Sequence, residues 1–304
     1  MISQELKGVI RAIRENAPEE ESSIEEMRAN LEAMALLFPL AKDIECVPVD
    51  VGGIRGEWVV APGAKDNRVV LYLHGGGYVM GSINTHREMV SHISREAKAR
   101  VLIIDYRLAP EHPFPAAVED STAAFRWLLK EGIDPARIVI AGDSAGGGLT
   151  VATLVALRDG GDPLPAACVC LSPWVDLEAI GNSMTTKTEE DPMVQREAII
   201  RLGEAYLGGA DARTPLAAPL YADLTGLPPM LIQVGTWETL LDDATRLAER
   251  AKEAGVDVTL EPWEEMIHVW QFYASMVPEA KKAVKGIGSF ILQHTEHGVA
   301  GTKK

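Results

Sequence analysis

A chain of 304 residues with 47% apolar and 24% charged side chains has the composition of a large globular protein rather than a fibrous or disordered one. Its 44 acidic against 29 basic residues leave a net charge of −15, which repels phosphate backbones and argues against nucleic acid as a partner. Nowhere do about 18 apolar residues run uninterrupted, so no membrane span is expected.

The N-terminal stretch MISQELKGVIRAIREN lacks the continuous apolar segment of a signal peptide. Within residues 1–42, Leu6, Val9, Ile10 and Ile13 form one helical stripe. Ser23 and Glu26 have the spacing of a capping box, and Ile24, Met27, Leu31 and Met34 give a second apolar face that Pro39 ends. These helices read as an N-terminal cap set apart from the domain of residues 43–304. A helix pair merely packed on the core is the plainer reading.

Strands follow. Glu45–Val51 and Arg55–Ala61 flank Gly52-Gly53, a hairpin signal. Further strands are expected at Arg68–His74, Arg100–Asp105, Arg137–Gly142, Ala166–Leu171, Met230–Val234 and Val256–Glu261. Helical patterns lie near 84–98, 116–131, 145–159, 240–254 and 276–293. A hairpin followed by β-α repeats implies an α/β fold with a mostly parallel eight-stranded sheet and helices on both faces. The alternation breaks between Leu171 and Met230, where a long excursion carries Asp191-Pro192-Met193 and a helical pattern at Ile199, Ile200, Ala205, Tyr206 and Leu207. Excursions of this length are usually functional. Residues of about 180–215 are read as a helical cap insertion. The tail beyond His294 is small and polar. Cys46, Cys168 and Cys170 lack metal-ligand spacing and read as reduced core thiols, so a cytoplasmic setting and no bound metal are expected.

The chemistry centres on Arg137–Thr150, RIVIAGDSAGGGLT. A β-branched run, a tight Gly142-Asp143-Ser144-Ala145-Gly146 turn and a helical pattern form a strand–elbow–helix unit with a serine at the bend, the G-x-S-x-G nucleophile elbow. Such a turn taken alone also suits phosphate. Strand Arg68–His74 runs into Gly75-Gly76-Gly77, where bare backbone can approach a ligand. A phosphate loop would close with Lys and Ser or Thr, whereas Tyr78-Val79-Met80 follow here. The loop therefore reads as an oxyanion loop, completed by the N–H of Ala145. His74 precedes it and reads as shaping it.

Of seven histidines, only His268 follows the last strand in a loop before the last helix, on the rim where strand ends meet Ser144 and the glycine loop. The acid should follow the strand before, where Glu238, Asp242 and Asp243 are available. Glu238 is favoured because it lies in the loop, four residues beyond Val234. The chain order Ser…Glu…His is that of α/β-hydrolases.

With His74-Gly75-Gly76-Gly77, Tyr106-Arg107-Leu108-Ala109-Pro110-Glu111 and Gly142-Asp143-Ser144-Ala145-Gly146 in view, the sequence over residues 45–293 resembles the bacterial hormone-sensitive-lipase family of α/β-hydrolase esterases. The resemblance implies hydrolysis of short-chain carboxylesters, a small-molecule ester substrate, no metal or cofactor, and Gly75, Gly76 and Ala145 as oxyanion donors. It also implies a helical cap and, in many members, a homodimer formed through the edge of the last strand. The family's acid is commonly an Asp followed by Pro in a D-P-L-x-D pattern. Here the matching residues are Glu238-Thr239-Leu240-Leu241-Asp242. A receptor that has lost catalysis, an acyltransferase and an amidase are the competing functions.

Overall fold

The structure, a computed structural model, describes residues 2–16 and 22–296. Among these residues eight strands form one sheet: β1 (Glu45–Asp50), β2 (Arg55–Val60), β3 (Lys65–Leu73), β4 (Ala99–Ile104), β5 (Ile138–Asp143), β6 (Ala167–Leu171), β7 (Met230–Gly235) and β8 (Val258–Trp263). Their order is β1-β2-β4-β3-β5-β6-β7-β8. β1 and β2 pair antiparallel, as the Gly52-Gly53 hairpin requires, and β2 joins β4 antiparallel. Every other pairing is parallel.

The helices are α1 (Gln4–Glu15), α2 (Ile24–Ala35), α3 (Ile83–Ala97), α4 (Ala116–Lys130), α5 (Ala145–Asp159), α6 (Ser183–Thr186), α7 (Arg196–Leu207), α8 (Leu241–Glu253) and α9 (Pro278–Thr295). Period-2 alternation along β3 divides them between two cores. Val69, Leu71 and Leu73 face one core with Phe125 of α4, Leu149 of α5 and Leu247 of α8. Val70 and Tyr72 face the other with Leu6 of α1, Ile93 of α3 and Ile287 of α9. Both faces are thus covered, which is why β3 and β5 read as unbroken apolar runs.

Several boundaries differ from those expected. β3 begins at Lys65, because exposed polar residues extend it past a register irregularity between Lys65 and Val69. β8 lies two residues further along the chain. α2 ends at Ala35, ahead of Pro39, because Leu36, Leu37 and Phe38 leave the helix in a turn. α9 runs past its expected end near residue 293 to include His294, whose ring lies 4.4 Å from that of Phe290, while His297 and the remaining tail lie outside the described residues.

The strand order places the chemistry. From β3 the chain moves outward to β4, then returns to β5 and continues through β8 on the opposite side. The strand order therefore reverses between β3 and β5, and ligands of open α/β sheets bind at such a point. Leu73 pairs with Gly142, so the glycine loop and the elbow leave adjacent strands side by side.

Candidate active site

Ser144 has φ 52° and ψ −122°, a conformation that side chains rarely adopt, between β5 and the first residue of α5. Its N–H donates to the Leu171 carbonyl at 2.8 Å and its carbonyl accepts from Trp174 at 2.9 Å, which ties the elbow to the end of β6. The flanking glycines are sterically required. A Cβ on Gly142 would stand 2.3 Å from the Gly146 carbonyl, and one on Gly146 would stand 2.0 Å from the Leu73 carbonyl.

Glu238 is fully buried and His268 is 6% exposed. His268 Nδ1 lies 2.9 Å from Glu238 Oε2. The other carboxylate oxygen accepts from the Gly235 N–H at 2.6 Å and the Ser172 hydroxyl at 2.7 Å. Ser172 Oγ in turn accepts the N–H of Val269, the residue after the histidine, at 3.2 Å. Ser172 and Val269 both have positive φ, at 44° and 45°, so backbone strain clusters around the pair as it does at Ser144. Burial opposes the charged form of His268, but the hydrogen bond and charge of Glu238, with the charges of Asp191 and Asp143, hold the imidazole above its ordinary 6.5. Burial also raises Glu238 above the ordinary carboxylate value, against the pull of His268. Among the described residues no hydrogen bond joins the Ser144 hydroxyl to His268, and such bonds often close only with substrate present.

The other two acid candidates lie elsewhere. Asp242 accepts the Ser183 N–H at 3.1 Å at the start of α8. Asp243 is buried and accepts the N–H groups of Val175 and Asp176, each at 2.9 Å; burial pushes its carboxyl up to about 7.

Gly75 corrects one expectation. Its N–H points inward, 3.1 Å from Asp143 Oδ1 and 3.2 Å from His86 Nε2, and is not available to a ligand. Asp143 also accepts the Tyr72 hydroxyl at 2.8 Å. Burial works against its charge, yet His86 and that hydroxyl hold it below the ordinary value. Asp143 thus anchors the root of the glycine loop to the elbow. Among the described residues, the N–H groups of Gly76, Gly77 and Ala145 have no partner within the chain. Gly76 has φ 112°, and a Cβ there would meet the Met80 carbonyl at 2.3 Å, so only glycine fits the turn. His74 shapes the loop: its ring stacks on Tyr106 at 4.2 Å, the Tyr106 hydroxyl donates to its carbonyl, and burial pushes its imidazole down to about 3.

Helix α7 covers this loop. Tyr206 stacks on Tyr78 at 3.7 Å with planes 5° apart, and a Cβ on Gly77 would stand 2.6 Å from Leu202 Cδ1. From the N-terminal side Arg28 of α2 donates to the carbonyls of Val79 and Ala109 at 2.6 and 2.9 Å and forms a bidentate pair with Glu111 at 2.7 Å. Sequence reasoning missed Ser172, Arg28 and the anchoring role of Asp143. Ser172 carried one usable signal, its place directly after a strand that ends on the ligand rim.

A sheet of this order, with a strained serine between a central strand and its helix, defines the α/β-hydrolase fold. A family described as alpha/beta hydrolase fold matches residues 70–272. A solved structure of an esterase from the bacterial hormone-sensitive lipase family is 56% identical, with TM-score 0.95, covering 97% of this chain and 99% of that one. The structure of EstE5 soaked with p-nitrophenyl butyrate is 48% identical, with TM-score 0.94, covering 97% and 100%. An acetyl-hydrolase of Streptomyces hygroscopicus is 50% identical over 251 residues, 83% of this chain and 84% of that protein. The chain belongs to the hormone-sensitive-lipase family of α/β-hydrolases, enzymes of the carboxylesterase and lipase-like serine hydrolase class. None of its described helices is long and apolar enough to cross a membrane.

Proposed function

We propose that the protein hydrolyses short-chain carboxylesters through a Ser144–His268–Glu238 triad and an acyl-enzyme. The observation that carries this reading is the buried His268–Glu238 pair at 2.9 Å, on the same rim as the elbow serine. Ser144 Oγ attacks the ester carbonyl while His268 Nε2 takes its proton, and Glu238 stabilises the imidazolium through Nδ1. The tetrahedral oxyanion is held by the N–H groups of Gly76, Gly77 and Ala145, a set that replaces Gly75 by Gly77. His268 returns the proton to the departing alcohol. Water then attacks the acyl carbonyl with His268 as base, and Ser144 is released with the acid product.

The contacts of Tyr206 and Leu202 on the glycine loop support residues 180–215 as a cap that limits acyl length, and the Arg28 clamp supports residues 1–42 as its second part. The name of the Streptomyces acetyl-hydrolase fits a small acyl group. Three free thiols suit a cytoplasmic setting, and β8, an edge strand of the sheet, suits a homodimer.

The test is a chain-length series of p-nitrophenyl esters together with labelling by a sulfonyl fluoride. Short esters should turn over fastest, and one equivalent of label should fall on Ser144. Full activity in Ser144→Ala, or labelling of another serine, would overturn the assignment.

A further inference from the structure

The cap insertion grips the residue that follows the acid. Thr239 is buried, and each of its polar groups is held by residues 183–194. Its N–H donates to Asp191 Oδ2 at 2.9 Å. Its hydroxyl lies 3.1 Å from that oxygen and 3.1 Å from the Val194 carbonyl. Its carbonyl accepts the Ser183 hydroxyl at 2.5 Å, and Ser183 Oγ also accepts the N–H of Asp242 at 2.9 Å. A proline at position 239 could supply neither donor.

Asp191 is 2% exposed. Its second oxygen takes the N–H groups of Met193 and Val194 at 2.9 and 3.0 Å, so four donors fill the carboxylate. Among the described residues no lysine or arginine pairs with it. A buried carboxylate without a cation is costly, and an amide or hydroxyl could satisfy part of the same turn at less cost. The charge has one evident beneficiary. Asp191 acts on His268 together with Glu238 and Asp143.

We propose that Asp191 is a positioning residue of the triad: through Thr239 it fixes where Glu238 leaves its loop, and so couples the seating of the cap to the orientation of His268. When residues 183–194 lift, Thr239 loses all its partners at once and the acid loop slackens. The triad is then fully aligned only beneath a seated cap. This rests on the Ser144–His268–Glu238 reading above.

The experiment compares Asp191→Asn, Thr239→Val, Thr239→Ser and Glu238→Gln on p-nitrophenyl butyrate, with circular dichroism to confirm folding. Asp191→Asn should lower kcat about tenfold, within the ~10²-fold that a misplacement of about 1 Å can cost, with KM little changed. Its acid limb in kcat/KM should move to lower pH, because one of three negative charges favouring the imidazolium has gone. Thr239→Val should lower kcat with the limb in place, and Thr239→Ser should restore it. A folded Asp191→Asn enzyme with wild-type kcat, or with an unmoved limb, overturns the proposal. Should that variant fail to fold, wild-type kcat in Thr239→Val overturns it. Glu238→Gln separates the two readings. High activity there removes the triad itself, whereas an inactive Glu238→Gln beside an unaffected Asp191→Asn removes only the coupling.

Discussion

The imidazole of His268 can act as a base only when neutral, and its surroundings hold it above 6.5. The acid limb of kcat/KM should therefore fall at a pH above 6.5, since a raised value keeps the base protonated to higher pH. Glu238→Gln removes the charge and leaves burial to dominate, so its residual activity should show that limb at lower pH. Its kcat should drop by about 10⁴, as in other hydrolases whose triad acid is made neutral. Asp242→Asn should lose far less, because the Asp242 carboxylate receives the Ser183 N–H near the start of α8 and, among the described residues, makes no hydrogen bond to His268. Steady-state kinetics on both folded variants check this, and a greater loss in Asp242→Asn would exchange the two assignments. The sequence points to Glu238 by its distance from the strand end, and the fold sets its carboxylate 2.9 Å from His268 Nδ1. Sequence alone could not show that Gly75 turns its N–H inward, because three consecutive glycines fix no direction and only the Asp143 and His86 contacts do.

Among the elements, α2 is held in an unusual way. None of its residues is fully buried, and Ile24 and Met27 of its apolar face pack against the core only partly buried. Polar contacts at Arg28 and Glu32 add to this attachment, the latter accepting the hydroxyl of Ser82 at 2.5 Å. The Arg28 pair holds Glu111 down to about 2, so the clamp should persist through mildly acid pH. Arg28→Met removes the fork that reaches Val79, Ala109 and Glu111 at once, and Arg28→Lys cannot rebuild it with a single ammonium. Both variants should cleave faster between residues 24 and 40 in limited proteolysis and show a several-fold higher KM with a smaller change in kcat. Unchanged proteolysis and KM would reduce α2 to a passive attachment. The helix itself was legible from its capping box and apolar spacing. Its clamp was not, because Arg28 and Glu111 stand 83 residues apart and only the folded chain brings them together. The bond between Ser172 and Glu238, 66 residues apart, escaped for the same reason.

At the scale of the whole molecule, the fold was readable because β-branched runs, glycine punctuation and helical periodicity all agree along residues 45–293. A departure fell where tertiary contacts outweigh local pattern, at Lys65–Asn67, where pairing with β4 extends the strand. Agreement across levels also marks where the chain violates it. Ser144 is a side-chain-bearing residue held at φ 52° by the bonds to Leu171 and Trp174. Non-glycine residues in such conformations cost about 1–3 kcal/mol each, and the rest of the fold must absorb that cost. Ser144→Gly releases it and should melt higher than the wild type by about 2 °C, after allowance for the greater freedom of glycine in the unfolded chain. Calorimetry of the two proteins measures this directly, and an equal or lower melting temperature would mean that the elbow is relaxed. If Ser144 is the nucleophile as proposed, selection for heat resistance alone would favour discarding it, so the serine persists only under continued demand for turnover.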